Sequence, residues 1–107
     1  MNDDEIIPRA IHLHEFAPMV GEVLLADCQP RPAELVLVSA TPLTHHATFI
    51  ERLPFVLIFH SKPEVQLVEA GYLLRCGEWG PELVYIIPIA RPMDSDVPGH
   101  YYQAVFN

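Results

Sequence analysis

Hydrophobic positions recur along this chain at two spacings, and the change from one to the other falls at Gly21. Leu13, Phe16, Ala17 and Val20 follow the 3.6-residue period that puts apolar side chains on one helical stripe. Pro18 lies too far inside that segment for a long helix, and Gly21 suits a left-handed cap, so the pattern predicts a single helical turn. From Glu22 onward the period is two. Strands are predicted at 22–27, 33–41, 53–61, 72–76, 82–90 and 99–107, with a short extended piece at 65–68.

The connections carry turn chemistry. Pro30 and Pro32 fix φ twice within three residues, and Gly77-Glu78-Trp79-Gly80-Pro81 reads as the turn of a hairpin. Residues 42–52, with Thr44, His45, His46 and Thr48, read as an exposed loop, and 91–98 as a polar, proline-flanked surface loop. No segment is patterned for a long helix. The predicted fold is therefore all-β: about six antiparallel strands in a small barrel or sandwich, with a short helical turn near the N-terminus. Pro88, inside an otherwise strong strand, marks an edge or a bulge. Phe55, Leu57 and Phe59 share one strand face while Val56 and Ile58 share the other, so both faces are apolar. A solvated antiparallel sheet normally has one polar face. Either the N-terminal arm and loops cover the second face, or another subunit does, which makes a homo-oligomer a candidate.

Composition narrows this picture. At 107 residues the chain fits one domain, with residues 1–10, acidic and containing Pro8, as a flexible arm and 11–107 as a single β domain. Half of the residues are hydrophobic, yet no apolar run approaches the roughly 20 residues of a membrane-spanning helix. Fourteen acidic against six basic side chains give a net charge of −8, a field that repels phosphate backbones and anionic lipid. Nucleic acid and membrane are thus excluded as expected partners. The acidic start, Met1-Asn2-Asp3-Asp4-Glu5, lacks the basic and apolar regions of a secretory signal, so a cytoplasmic location is expected, with Cys28 and Cys76 as reduced, buried, small hydrophobes.

Candidate chemistry is sparse. His12 and His14 would project from one face if extended, a geometry that suits a divalent metal, and His45, His46, His60, Cys28 or Cys76 could complete the set in three dimensions. The helical turn argues otherwise, because residues two apart on a helix diverge by about 200°. No spacing reaches the strength of a paired Cys-x-x-Cys, so no metal and no cofactor is assigned. Cys76 with His60 or His100 is the one nucleophile–base pairing to weigh, against a structural thiol on the face of Tyr72 and Leu74. Asp94 and Asp96 share a loop without the glycine and further oxygens of a calcium site. Trp79, at a predicted hairpin tip, is either a partner contact or a plug for the barrel end. Tyr101 and Tyr102 point to opposite faces, which predicts one of them exposed or at an interface.

The order of short motifs resembles that of a small bacterial family of uncharacterised domains. Those motifs are His14 to Glu22 for a His-Phe-x-x-x-Val-Gly-Glu pattern with one insertion, Pro54 to Phe59 for Pro-Phe-x-Leu-x-Phe, Gly71-Tyr72, Gly80, and Leu83 to Pro88. The family closes on Tyr-Glu-Ala-Val-Phe-Asn, matched by Tyr102 to Asn107 with Gln103 in place of Glu. The resemblance implies a compact all-β fold, company with phage-tail-like fibre proteins, and no catalytic residue. The expected function is a non-enzymatic protein-interaction or assembly domain, binding a protein partner or itself through apolar strand faces, Trp79, Tyr101 and Tyr72. A small-molecule or sugar-binding barrel using Trp79 and Tyr72 is the alternative, and a histidine-based metal enzyme the third.

Overall fold

The computed structural model describes residues 10–43 and 54–107. The expected loop histidines, His45 and His46, and nearly all of the expected N-terminal arm lie outside the described residues. A short helix α1 (Leu13–Phe16) runs into a 3₁₀ turn (Ala17–Met19), and Gly21 follows at φ +90. The single turn bounded by Pro18 and Gly21 is thus present as the spacing predicts.

Six strands follow: β1 (Val23–Ala26), β2 (Ala33–Pro42), β3 (Phe55–Ser61), β4 (Ala70–Cys76), β5 (Trp79–Ile89) and β6 (His100–Phe106). All neighbours are antiparallel, and the order β1-β2-β3-β6-β5-β4 closes on itself as a barrel. Of the two predicted architectures, the barrel is the one formed.

Alternation builds the interior. Leu24 and Ala26, Leu35 and Leu37, and Phe55, Leu57 and Phe59 are buried, together with Leu74, Val84, Ile86, Tyr102 and Ala104 from the other three strands. Removing a side chain such as Leu57 or Phe59 from water stabilises the fold by about 1.5–3 kcal/mol. Two ladders carry register shifts, between Leu37 and Ser39 and between Leu74 and Cys76. Such bulges bend a strand and increase its twist, which is what closing so few strands requires. Val38, the extra residue of the first, is pushed outward.

Both ends of the barrel are filled. At one end Phe16 is fully buried beside Phe55, Phe106 and Trp79, with ring centroids 5.9, 5.8 and 5.1 Å away. At the other, Leu67 is buried and its N–H donates to the Tyr102 hydroxyl at 3.0 Å. Residues 65–68, expected as a short extended piece, form no strand and serve as this lid.

Pro88 sits on a local edge, one of the two placements expected of it. A closed barrel has no continuous edge, and Pro88 pairs with Tyr102 of β6. The β4 ladder, however, ends at Ile86 opposite Ala70, so Pro88 stands on a stretch of β5 paired on one side only. A residue without an N–H is tolerated there because that side has no strand to serve.

Candidate docking surface on the hairpin of β4 and β5

Three of the side chains singled out from the sequence turn inward. Trp79 is half-buried: its indole meets Phe16 edge-on and its Nε1–H donates to Glu15 Oε1 at 3.1 Å. It is the first residue of β5, opposite Cys76, and the turn itself is Gly77-Glu78. The plug, rather than the free tip, is therefore the placement observed. Tyr72 packs against the core and donates its hydroxyl to the Val68 carbonyl at 2.8 Å; burial, with the nearby Cys28, raises its phenol above the usual range.

Of the expectation that Tyr101 or Tyr102 is exposed or at an interface, the exposed half is corrected: neither is exposed. Tyr102 lies inside the barrel, fully buried, within 2.9 Å of Ser61 Oγ. Tyr101 points outward yet is 5 % exposed, because the 91–98 loop folds over it. Its hydroxyl lies 2.7 Å from Ser95 Oγ, and its ring meets His60 edge-on at 4.9 Å. His60 in turn donates Nε2–H to the Pro98 carbonyl at 2.8 Å, which pins the loop. With the loop in this position Tyr101 offers little surface to a partner. Strand alternation tells which way a side chain points, not which loop covers it.

The described histidines do not converge on a metal site. His12 caps α1 in an extended conformation, φ −112 and ψ 151, so the pair His12 and His14 straddles the helix boundary. Their rings stack at 5.5 Å and 14°, which corrects the expected divergence; the 200° rule applies only within a helix. Among the described residues, no group of three or more His, Cys, Asp or Glu side chains is placed to hold a metal ion. His100 donates to the Pro63 carbonyl at 3.0 Å, at the Tyr102 end of the barrel, while Cys76 faces Trp79 at the other. The Cys76 pairings with His60 or His100 are therefore not assembled. Cys28 and Cys76 are free thiols, half-buried against the core.

What the structure presents instead is the outside of the hairpin formed by β4 and β5. Leu73 lies opposite Leu83, and Gly71 opposite Tyr85. Leu83 is 60 % exposed and Tyr85 54 %, and the Leu83 side chain leans over Gly71, where an added Cβ would come within 3.1 Å of its Cδ1. Tyr85 is held by its hydroxyl, which donates to Glu69 Oε2 at 2.6 Å; that bond raises the phenol pKa and keeps it neutral. Across β4, Leu25 of β1 is 40 % exposed beside Arg75, whose guanidinium grips Asp27 through two bonds of 3.0 and 2.8 Å. The bonds hold the Asp27 carboxyl below its usual range. The result is an apolar strip of Leu73, Leu83 and Tyr85 bordered on the β1 side by the Arg75–Asp27 pair, the layout of a contact surface rather than of a catalytic pocket.

Sequence reasoning did not single out Leu83 or Tyr85. The signal was there: Leu83, Tyr85 and Ile87 alternate with Val84 and Ile86, so β5 is apolar on both faces, as β3 is.

A closed, six-stranded antiparallel barrel with filled ends and, among the described residues, no long helix defines the class of this molecule. Within that class, the profile of the domain of unknown function DUF6916 matches residues 11–106, and the chain belongs to this family. No curated protein and no solved structure matches it. No described helix is long and apolar enough to cross a membrane.

Proposed function

We propose that this barrel is a non-enzymatic protein-docking domain whose contact face is the outside of the β4–β5 hairpin. The observation that carries the reading is the exposure of Leu83 and Tyr85, large apolar side chains held on a rigid strand and left to solvent, with the half-buried Leu73 opposite Leu83. None of them is needed to fill the interior, which has its own complete set of buried side chains. Aromatic and leucine side chains fixed on a strand lose little entropy on contact, which favours them as anchors.

The occupant is a second copy of this chain or another protein, and one series of experiments separates the two. Light scattering over a dilution series is expected to show a mass that rises with concentration for the native chain and stays monomeric for Leu83→Glu. If the native chain is monomeric throughout, a photo-crosslinking residue at position 83 in host cells is expected to give one discrete adduct, absent when the probe sits at Glu34. A concentration-independent monomer with no discrete adduct overturns the proposal. The family resemblance makes phage-tail-like fibre components in the bacterial cytoplasm the first partner class to test, through the genes that flank this one.

The sugar-binding alternative is less well supported, because Trp79 is engaged with Phe16 and Glu15, and Tyr72 with Val68.

A further inference from the structure

The Tyr102 end of the barrel carries a cleft of about 100 Å³ on its flank, between the 62–69 lid, the end of β5 and the start of β6. Its wall includes Leu67, Pro88 and Ile89, and its polar lining includes Gln66, Arg91 and His100. Arg91 is exposed and, among the described residues, makes no hydrogen bond or ion pair, even though Asp94 and Asp96 lie on its own loop. His100 is oriented rather than loose, since its Nε2 holds the Pro63 carbonyl and leaves Nδ1 as the free ring atom. The backbone beneath is fixed by Gly99 at φ +131, where any Cβ would strike the Ser61 carbonyl oxygen and the His60 ring.

We propose that this cleft binds a carboxylate borne on a short aliphatic group, with Arg91 taking the carboxylate and Leu67, Pro88 and Ile89 taking the carbon chain. The guanidinium fork matches a carboxylate through two parallel N–H···O bonds, and the Gln66 amide supplies a further donor. The size limits the ligand: 100 Å³ is roughly three waters' worth of liquid, room for the carboxylate and about one or two carbons, so the outer carbons of a branched five-carbon acid lie along the exposed rim at Pro88. The same chemistry occurs in two sources, a free short-chain acid and the C-terminal residue of a peptide. This cleft lies apart from the β4–β5 face, and its ligand is independent of the docking role.

Nitrogen-15 NMR titrations of the full chain test it with isovalerate, isovaleramide, and N-acetyl-Ala-Val as the free acid and as the C-terminal amide. Isovalerate is expected to give saturable shifts confined to Gln66, Leu67, Ile89, Arg91 and His100, with a Kd on the order of 1–10 mM for so few atoms. Isovaleramide and the peptide amide should leave those signals in place. Arg91→Gln, at an exposed position without partners, should keep the spectrum of the folded chain and weaken binding at least tenfold. A peptide acid tenfold tighter than isovalerate assigns the site to chain termini, and equal affinity assigns it to free acids. Non-saturating shifts up to 50 mM isovalerate, or unchanged binding by Arg91→Gln, overturn the proposal.

Discussion

Tyr102 shows how much a single polar atom decides inside this barrel. Its hydroxyl is fully buried, accepts the Leu67 N–H and donates its own proton to Ser61 Oγ, whose hydroxyl donates in turn to the Val65 carbonyl at 2.7 Å. Tyr102→Phe keeps the ring and leaves the Leu67 N–H without its acceptor, so a loss of about 1–3 kcal/mol is expected in urea unfolding. Ser61→Ala removes one hydroxyl but leaves Leu67 served, and should cost less, about 1 kcal/mol. The reverse ranking would mean that Ser61, not Tyr102, anchors the lid. Trp79 supplies the second test at this scale. Its contact with Phe16 makes it part of the end plug, so Trp79→Ala is expected to cost about 2–4 kcal/mol by the same urea measurement. A stability change near zero would return the indole to the list of partner contacts.

At the level of elements, what could be read from the sequence was direction, and what could not was cover. Alternation in 33–41 and 53–61 locates β2 and β3 to within two residues, because β3 buries one whole face and β2 buries Ala33, Leu35 and Leu37 in alternation before its bulge. The limit of β5 was misjudged by three residues, since Gly80 and Pro81 look like turn residues yet continue the strand that begins at Trp79. Long-range cover was invisible: nothing local to Tyr101 says that Ser95 and Pro98 fold over it, and nothing local to Leu83 says that its neighbour Gly71 leaves it bare. Barrel closure had the same character, resting on β1 meeting β4 some fifty residues away. Gly80 then gives the element-scale prediction. It sits at φ +90, and a Cβ there would run into the Leu74 carbonyl oxygen and come within 3.1 Å of the Arg75 Cα, at the bulge that bends the hairpin. Gly80→Ala combines an unfavourable backbone with a clash against backbone, and a cost above about 2 kcal/mol is expected. Gly77→Ala, at φ +58 with open space around it, should cost about 1–2 kcal/mol, so the pair isolates the clash.

The whole barrel is closed unevenly, and its weakest seam has a charged latch. β3 and β6 pair along their full lengths, from Phe55 opposite Phe106 to Ser61 opposite His100. β1 and β4 meet through Leu25 opposite Arg75 and Ala26 opposite Leu74, extended by the Asp27 N–H to the Leu73 carbonyl at 3.0 Å. The Arg75–Asp27 pair crosses this seam on the outside. Local opening follows the least-supported ladder, so amide exchange is expected to be faster at Asp27 than at Leu57 or Ala104. Acid should act on the same place. The Asp27 carboxyl is depressed by the Arg75 hydrogen bonds, so its contribution is complete above the unfolded-state pKa and is lost as pH falls through the lower folded value. The latch is solvent-exposed and its effect is screened, so the change should appear as faster exchange at the seam rather than as global unfolding. Asp27→Asn is therefore expected to raise the exchange rate of the residue 27 amide at neutral pH, to flatten its dependence below pH 4 once intrinsic exchange is divided out, and to leave Leu57 and Ala104 unchanged. Equal acceleration across β3 and β6 would show that the barrel opens as one unit, with no seam to latch.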